Sequence, residues 1–208
     1  MGCFGSSNPN QQLLNSAIAG KTPDQVKVLK YFLKPEGCMS KNMSDDEYFS
    51  MVIAKRDALN LKARALGKIG LDEDELQEIP PVMFEGFTFQ DAWAKKRANG
   101  NWVSSSYQIS WLFFSTTQVY LYQYVIYMDE DKKREYSEEY FYKDVTNFST
   151  RSETEKTKGT LGNSIEVETT KFALVVPGAT LTVAIEGSKN FEDAIQAMKQ
   201  KLREKKMQ

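Results

Sequence analysis

Histidine is absent from the 208 residues. Its absence removes the commonest general acid/base and the usual imidazole metal ligand, and with them every Ser-His-Asp, Cys-His and zinc-His arrangement. Cysteine is scarce, with only Cys3 and Cys38 present. Two thiolates do not build a four-cysteine zinc site, no C-x-x-C pair occurs, and such usage fits a reducing compartment. No apolar run approaches the length of a membrane span. The polar, glycine-rich start lacks the regions of a secretory signal, so the expected compartment is the cytoplasm. Excess charge is missing as well. Lys and Arg number 27 against 28 Asp and Glu, a formal net charge of −1. Nucleic acid is therefore not an expected partner. Gly159-Thr160-Leu161-Gly162 lacks the spacing and the lysine-serine ending of a phosphate-binding loop. The sequence predicts no catalytic residue, no metal ligand and no cofactor.

What is present is an ordinary globular composition. Apolar residues make up 41% and charged residues 26%, so a packed core is expected. Residues 1–10 are small and polar and read as a disordered lead-in. Residues 11–80 read as helical. Leu13, Leu14, Ala17 and Ile18 form a first helical run that Gly20 ends. Thr22 opens a second helix, with Pro23 at its first position and Gln25 completing a capping box; Pro35 and Gly37 stop it. Ser44 and Glu47 form another capping box, with Asp45 and Asp46 where the helix dipole favours acids. Tyr48, Met51, Val52, Leu59 and Leu66 then predict one long helix ending near Gly67 and Gly70. Asp72, Glu73, Asp74 and Glu75 read as the first turn of a short helix; side chains at consecutive helix positions diverge, so they do not converge on an ion. Pro80-Pro81 is the expected domain boundary.

Beyond the double proline the period changes to two, and residues 82–206 read as a β-rich domain closed by a helix. Strands are expected over 82–89, 102–107, 109–115, 119–127, 134–142, 145–150, 165–170, 172–176 and from Leu181 to Ile185. The polar stretch 152–163 is expected to be a mobile loop. Pro177-Gly178 is a turn signal between strands. Phe191, Ala194, Ile195, Met198 and Leu202 make one apolar stripe on a final helix. The fold class is thus α+β: N-terminal helices, then an antiparallel meander of about six or seven strands that curls and is capped by the C-terminal helix.

Tyr107 to Glu204 resembles the bacterial pleckstrin-homology-like domains. The resemblance rests on Ile109-Ser110-Trp111-Leu112-Phe113-Phe114 running through a turn into Val119-Tyr120-Leu121-Tyr122, on Tyr140-Phe141-Tyr142-Lys143-Asp144-Val145-Thr146, and on the segment Phe172 to Ile185 followed by the 190–205 helix. It implies a partly open barrel of about seven strands, capped by a helix and used to bind peptides, protein surfaces or lipid head groups. The phosphoinositide-binding members use a basic patch in an early hairpin loop. The connections at Thr116-Thr117 and Asp129-Glu130-Asp131 are neutral or acidic here, which argues against head-group binding.

The expected function is that of a non-catalytic binding or scaffolding module with a protein or peptide partner, its oligomeric state left open. Tyr120, Tyr122 and Tyr124 are the candidate partner-binding residues. The alternative is association with a membrane surface through Lys95, Lys96, Arg97, Lys201, Lys205 and Lys206. Gly2 and Cys3 fit a dual-acylation pattern that would serve the same end. Glu166 and Glu168 share one strand face and read as a solvent-facing edge rather than an acid/base pair.

Overall fold

A computed structural model of the chain describes residues 9–33, 42–76, 79–185 and 191–206. The architecture is α+β, with helices first, antiparallel strands next and a helix last. The helices are α1 (Pro9–Ile18), α2 (Pro23–Leu33), α3 (Asp45–Ala58) and α4 (Leu61–Ile69). Both expected capping boxes form. Gln25 N donates to Thr22 Oγ1 at 3.3 Å while Thr22 N donates to Gln25 Oε1 at 3.0 Å. The Ser44–Glu47 pair repeats the arrangement at 3.1 and 2.7 Å.

The single long helix expected after Ser44 is two helices. The chain turns at Asn60, whose φ of 44° lies in the left-handed region that Asn tolerates better than most residues. The reason is geometric. Val52 and Leu61 are both buried, and nine helical steps would set them about 180° apart on one cylinder. Breaking the helix returns Leu61 and Ala65 to the core that already holds Tyr48 and Val52.

The strands are β1 (Ile79–Thr88), β2 (Ala94–Lys96), β3 (Trp102–Ser104), β4 (Ser106–Phe114), β5 (Gln118–Tyr127), β6 (Lys133–Phe141), β7 (Asn147–Lys158), β8 (Ser164–Val176) and β9 (Ala179–Ala184); α5 (Phe191–Lys206) follows. They form sheets of order β1-β4-β5-β6 and β7-β8-β9, with β2-β3 a separate ribbon. Three expectations need correction. Pro80 and Pro81 lie inside β1 rather than before it. Proline is admissible there because β1 is an edge strand, and its register shifts between Ile79 and Val82. The stretch 152–163 is mostly strand: β7 pairs with β8 without interruption from Asn147↔Val175 to Lys158↔Ser164. Its polar composition reflects exposed faces, and Lys171 Nζ reaches Glu153 at 3.1 Å and Glu155 at 2.9 Å across the ladder. The third is β8, one strand instead of two. Its outer half buries Val167 and Thr169 on one face, whereas its inner half buries Phe172, Leu174 and Val176 on the other together with Ala173, as the right-handed twist of a long strand turns its faces.

Each face of the four-stranded sheet is covered. Phe87, Tyr107, Ile109, Phe113, Tyr120, Tyr122 and Ile126 pack against Val28, Leu29, Phe32, Tyr48, Val52, Leu61 and Ala65 of the helices. On the other face Phe84, Leu112, Phe114, Val119 and Leu121 meet Phe148, Phe172, Leu174 and Val183 of the three-stranded sheet, together with Ile195, Met198 and Leu202 of α5. Burying each large apolar side chain in this way contributes about 1.5–3 kcal/mol. Two glutamines join the sheets: Ala184 N donates to Gln108 Oε1 at 2.6 Å, and Gln123 Nε2 donates to the Thr182 carbonyl at 2.9 Å. The sheets stack with α5 against β7 and do not close into a barrel.

Candidate functional site

The tyrosine row is largely buried. Tyr122 is fully buried and Tyr120 nearly so. Tyr124 is half-buried, with the Arg64 guanidinium 5.4 Å from its ring centre. Strand alternation puts all three on one face, and α2, α3 and α4 occupy that face. The exposed aromatic patch expected from the sequence is therefore not what the fold presents: Tyr120 and Tyr122 are covered and only Tyr124 keeps part of its surface. The cause is the helical layer, whose docking position no local pattern records.

The structure instead opens a cleft of about 540 Å³ where the helices meet two hairpins. Its floor is Tyr31 and Phe32 of α2 and Ala94 of β2, all buried. Met43, Trp102 and Ile165 form half-buried apolar walls. Asn42, Thr160 and Asn163 bring polar side chains to the same space. At the apex of the β7–β8 hairpin Leu161 is 60% exposed. That hairpin is held against the rest of the fold close to its tip. Thr157 Oγ1 and Lys158 N both donate to the Ala92 carbonyl, at 2.7 and 3.1 Å. Val167 and Ile165 enter the helix-side core, and Leu13 of α1 comes against Gly162.

One wall carries an ordered charge pair. The Tyr31 hydroxyl donates to Asp45 Oδ1 at 2.7 Å. Lys95 Nζ lies 3.5 Å from that oxygen and 3.6 Å from the centre of the Tyr31 ring, a cation–π contact. Ala98 N donates to the other Asp45 oxygen at 3.4 Å. Burial alone would raise the Asp45 carboxyl, but the hydrogen bonds from Tyr31 and Ala98 and the charge of Lys95 outweigh it, so it stays ionised below its usual range. Burial, and then the Asp45 partner, push the Tyr31 hydroxyl far up, so it remains a donor. Lys96 is exposed, with its Nζ 6.0 Å from the Trp102 ring centre.

Of the basic residues singled out in the sequence, Lys95, Lys96 and Arg97 sit in the β2–β3 ribbon beside this cleft. Lys201 lies on α5, which packs on the other core. The two groups therefore belong to different layers. The side chains of Lys205 and Lys206 and the whole of Gly2, Cys3 and Cys38 lie outside the described residues. Glu166 and Glu168 are exposed on β8, and Glu166 is 4.0 Å from Lys156. Among the described residues no group of three His, Cys, Asp or Glu side chains is placed to hold a metal, and no helix is long and apolar enough to cross a membrane.

Sequence reasoning passed over Tyr31, Asp45, Trp102 and Leu161 as a set. Tyr31 and Asp45 belong to different helices, and Leu161 reaches the cleft only through the long hairpin. Leu161 alone left a signal, as the lone large apolar residue in a polar, glycine-flanked stretch. No family model matches the chain, and no curated protein or solved structure is significantly similar to it.

Proposed function

We propose that the chain is a non-catalytic binding module for a protein or peptide partner, its strands and last helix a pleckstrin-homology-like unit whose four-stranded sheet shares a core with the N-terminal helices. The cleft supports this reading. A concave space of about 540 Å³ with apolar walls, a few polar groups and an exposed leucine at its mouth has the size and lining of a recognition site. The order of strands supports the pleckstrin-homology-like reading: a four-stranded and a three-stranded antiparallel sheet are stacked, with the closing helix seated on the second core.

The reading is tested with a photo-crosslinking side chain placed at exposed Thr160, beside the cleft, and at exposed Gln196 on α5 as a control. A partner captured in the native host at the first position and not at the second, and bound again by the purified full chain, is the expected result. Equal capture at both positions, or loss of neither when the cleft is blocked, speaks against it. Membrane association is the second reading, favoured by one observation: exposed Leu161 and Lys96 stand at the same cleft mouth. Sedimentation with vesicles of phosphatidylcholine, with and without phosphatidylserine, separates the two.

A further inference from the structure

Resting on the binding-module reading, we infer that the cleft accepts an acidic peptide segment through one inserted apolar side chain, with Lys96 and the apex of the β7–β8 hairpin deciding the choice. The apolar part follows from the lining. Phe32, Met43, Trp102 and Ile165 surround a space deep enough for one aromatic or long aliphatic side chain. Leu161, exposed at the apex, gains cover only when something occupies the mouth.

The acidic part follows from how the charges in the wall are already used. Lining charges are Lys95 and Lys96 against the single carboxylate of Asp45. Asp45 is engaged by the Tyr31 hydroxyl, the Ala98 amide and Lys95. It is therefore not open to attract a basic ligand. Lys95 is held between that carboxylate and the Tyr31 ring. The charge left facing solvent is the Lys96 ammonium, which no acid among the described residues pairs. It stands beside Trp102, so an acidic residue flanking the inserted side chain meets a cation at the same moment that the anchor meets the indole. Asn42, Thr160 and Asn163 are placed for the peptide's own amide groups. A concave, half-apolar site of this kind suits an inserted side chain better than a flat lipid surface, which favours protruding apolar groups.

The test uses the full chain and tryptophan emission, because Trp102 is a wall of the cleft. The probe is the blocked peptide Glu-Asp-Phe-Asp-Glu. Its counterparts are Glu-Asp-Ala-Asp-Glu, Lys-Lys-Phe-Lys-Lys, and phosphatidylcholine vesicles with and without phosphatidylserine. The expected result is a saturable emission change with the acidic phenylalanine peptide, lost with the alanine peptide. Lys96→Glu and Leu161→Asp each weaken it about tenfold. Both positions are exposed, so their thermal unfolding stays at the wild-type value. Equal or tighter binding of the lysine peptide, or an unchanged affinity of Lys96→Glu, overturns the acidic preference while leaving a binding module standing. Silence of every peptide and of the vesicles overturns the inference alone, since the Thr160 crosslink judges the parent reading separately. A response to phosphatidylserine vesicles without any response to the peptides overturns both.

Discussion

Tyr122 and Glu135 are joined diagonally across β5 and β6, the phenolic hydroxyl donating to Glu135 Oε1 at 2.9 Å. Arg64 of α4 meets the same carboxylate in a two-pronged contact, Nε to Oε1 and Nη2 to Oε2, each at 2.8 Å. Lys133 adds a contact at 2.6 Å. The Glu135 side chain is only 7% exposed. This one carboxylate therefore fastens the helical layer to the sheet at the tyrosine face, and it makes that fastening sensitive to acid.

The hydrogen bond from Arg64 holds Glu135 down. Burial opposes the shift, and Lys133 and Tyr122 add to it, so the carboxyl titrates at about 2 instead of 4.5. A carboxyl with a lowered folded-state pKa stabilises the fold at pH values above 4.5, and that contribution is lost as the pH falls toward 2. The urea midpoint is expected to drop over this interval, and Glu135→Gln to flatten that part of the profile. An unchanged slope in the variant assigns the acid sensitivity to other groups.

Arg64→Ala removes both prongs and leaves the sheltered carboxylate to Lys133, Tyr122 and the more distant Lys68, 3.7 Å away. A loss of about 2 kcal/mol in chemical denaturation is expected. In a double-mutant cycle with Glu135→Gln the two losses are not additive.

Residues 79–206 expressed alone should not give a native fold. Without the helices Tyr107, Ile109, Phe113, Tyr120 and Tyr122 lose their cover on one side of the sheet. Strong dye binding to exposed apolar surface and a broad, weakly cooperative melt are expected. A soluble fragment with a sharp transition would make the helices an addition rather than part of the core.

Met198→Ala tests the closing helix. Met198 is buried beside Ile195 and Leu202 in the cluster that contains the stacked rings of Phe148 and Phe172, whose centres are 5.8 Å apart. Truncation should cost about 2–4 kcal/mol, read from denaturation midpoints.

Gly159→Ala probes the base of the hairpin tip. A Cβ there would stand 2.9 Å from Asn163 Oδ1 and 2.9 Å from Ile165 Cγ2. Asn163 is exposed and can turn away, whereas Ile165 is packed on the helix-side core. Faster amide exchange at Lys158 and Gly159, whose N–H groups bond Ala92 and Asn163, and a loss of about 1–3 kcal/mol are expected. An unaltered exchange pattern would mean that Ile165 yields freely.

Much of the local structure was legible in the residues. The caps at Thr22 and Ser44 and the apolar stripe of α5 rest on contacts within a few positions of each other. The strand through Tyr120, Tyr122 and Tyr124 was equally clear from its alternation. The break at Asn60 was not, because a periodic run is compatible with one helix until a core demands that Val52 and Leu61 face the same way. Nor was the length of β7, whose polar residues acquire partners only when β8 lies alongside. The cleft was the least legible feature: Tyr31, Trp102 and Leu161 come from three separate parts of the chain.

The order of the elements, their caps and their greasy faces are properties of the amino-acid sequence itself, since each depends on neighbours a few residues away. Which face meets which was decided only in three dimensions. Both sides of β5 are apolar enough to be buried, so its residues do not say that helices cover the tyrosines and a second sheet covers Val119 and Leu121. That choice depends on the shape and volume of distant segments docking together, and the cleft exists because they dock without filling the space between Phe32, Trp102 and Ile165.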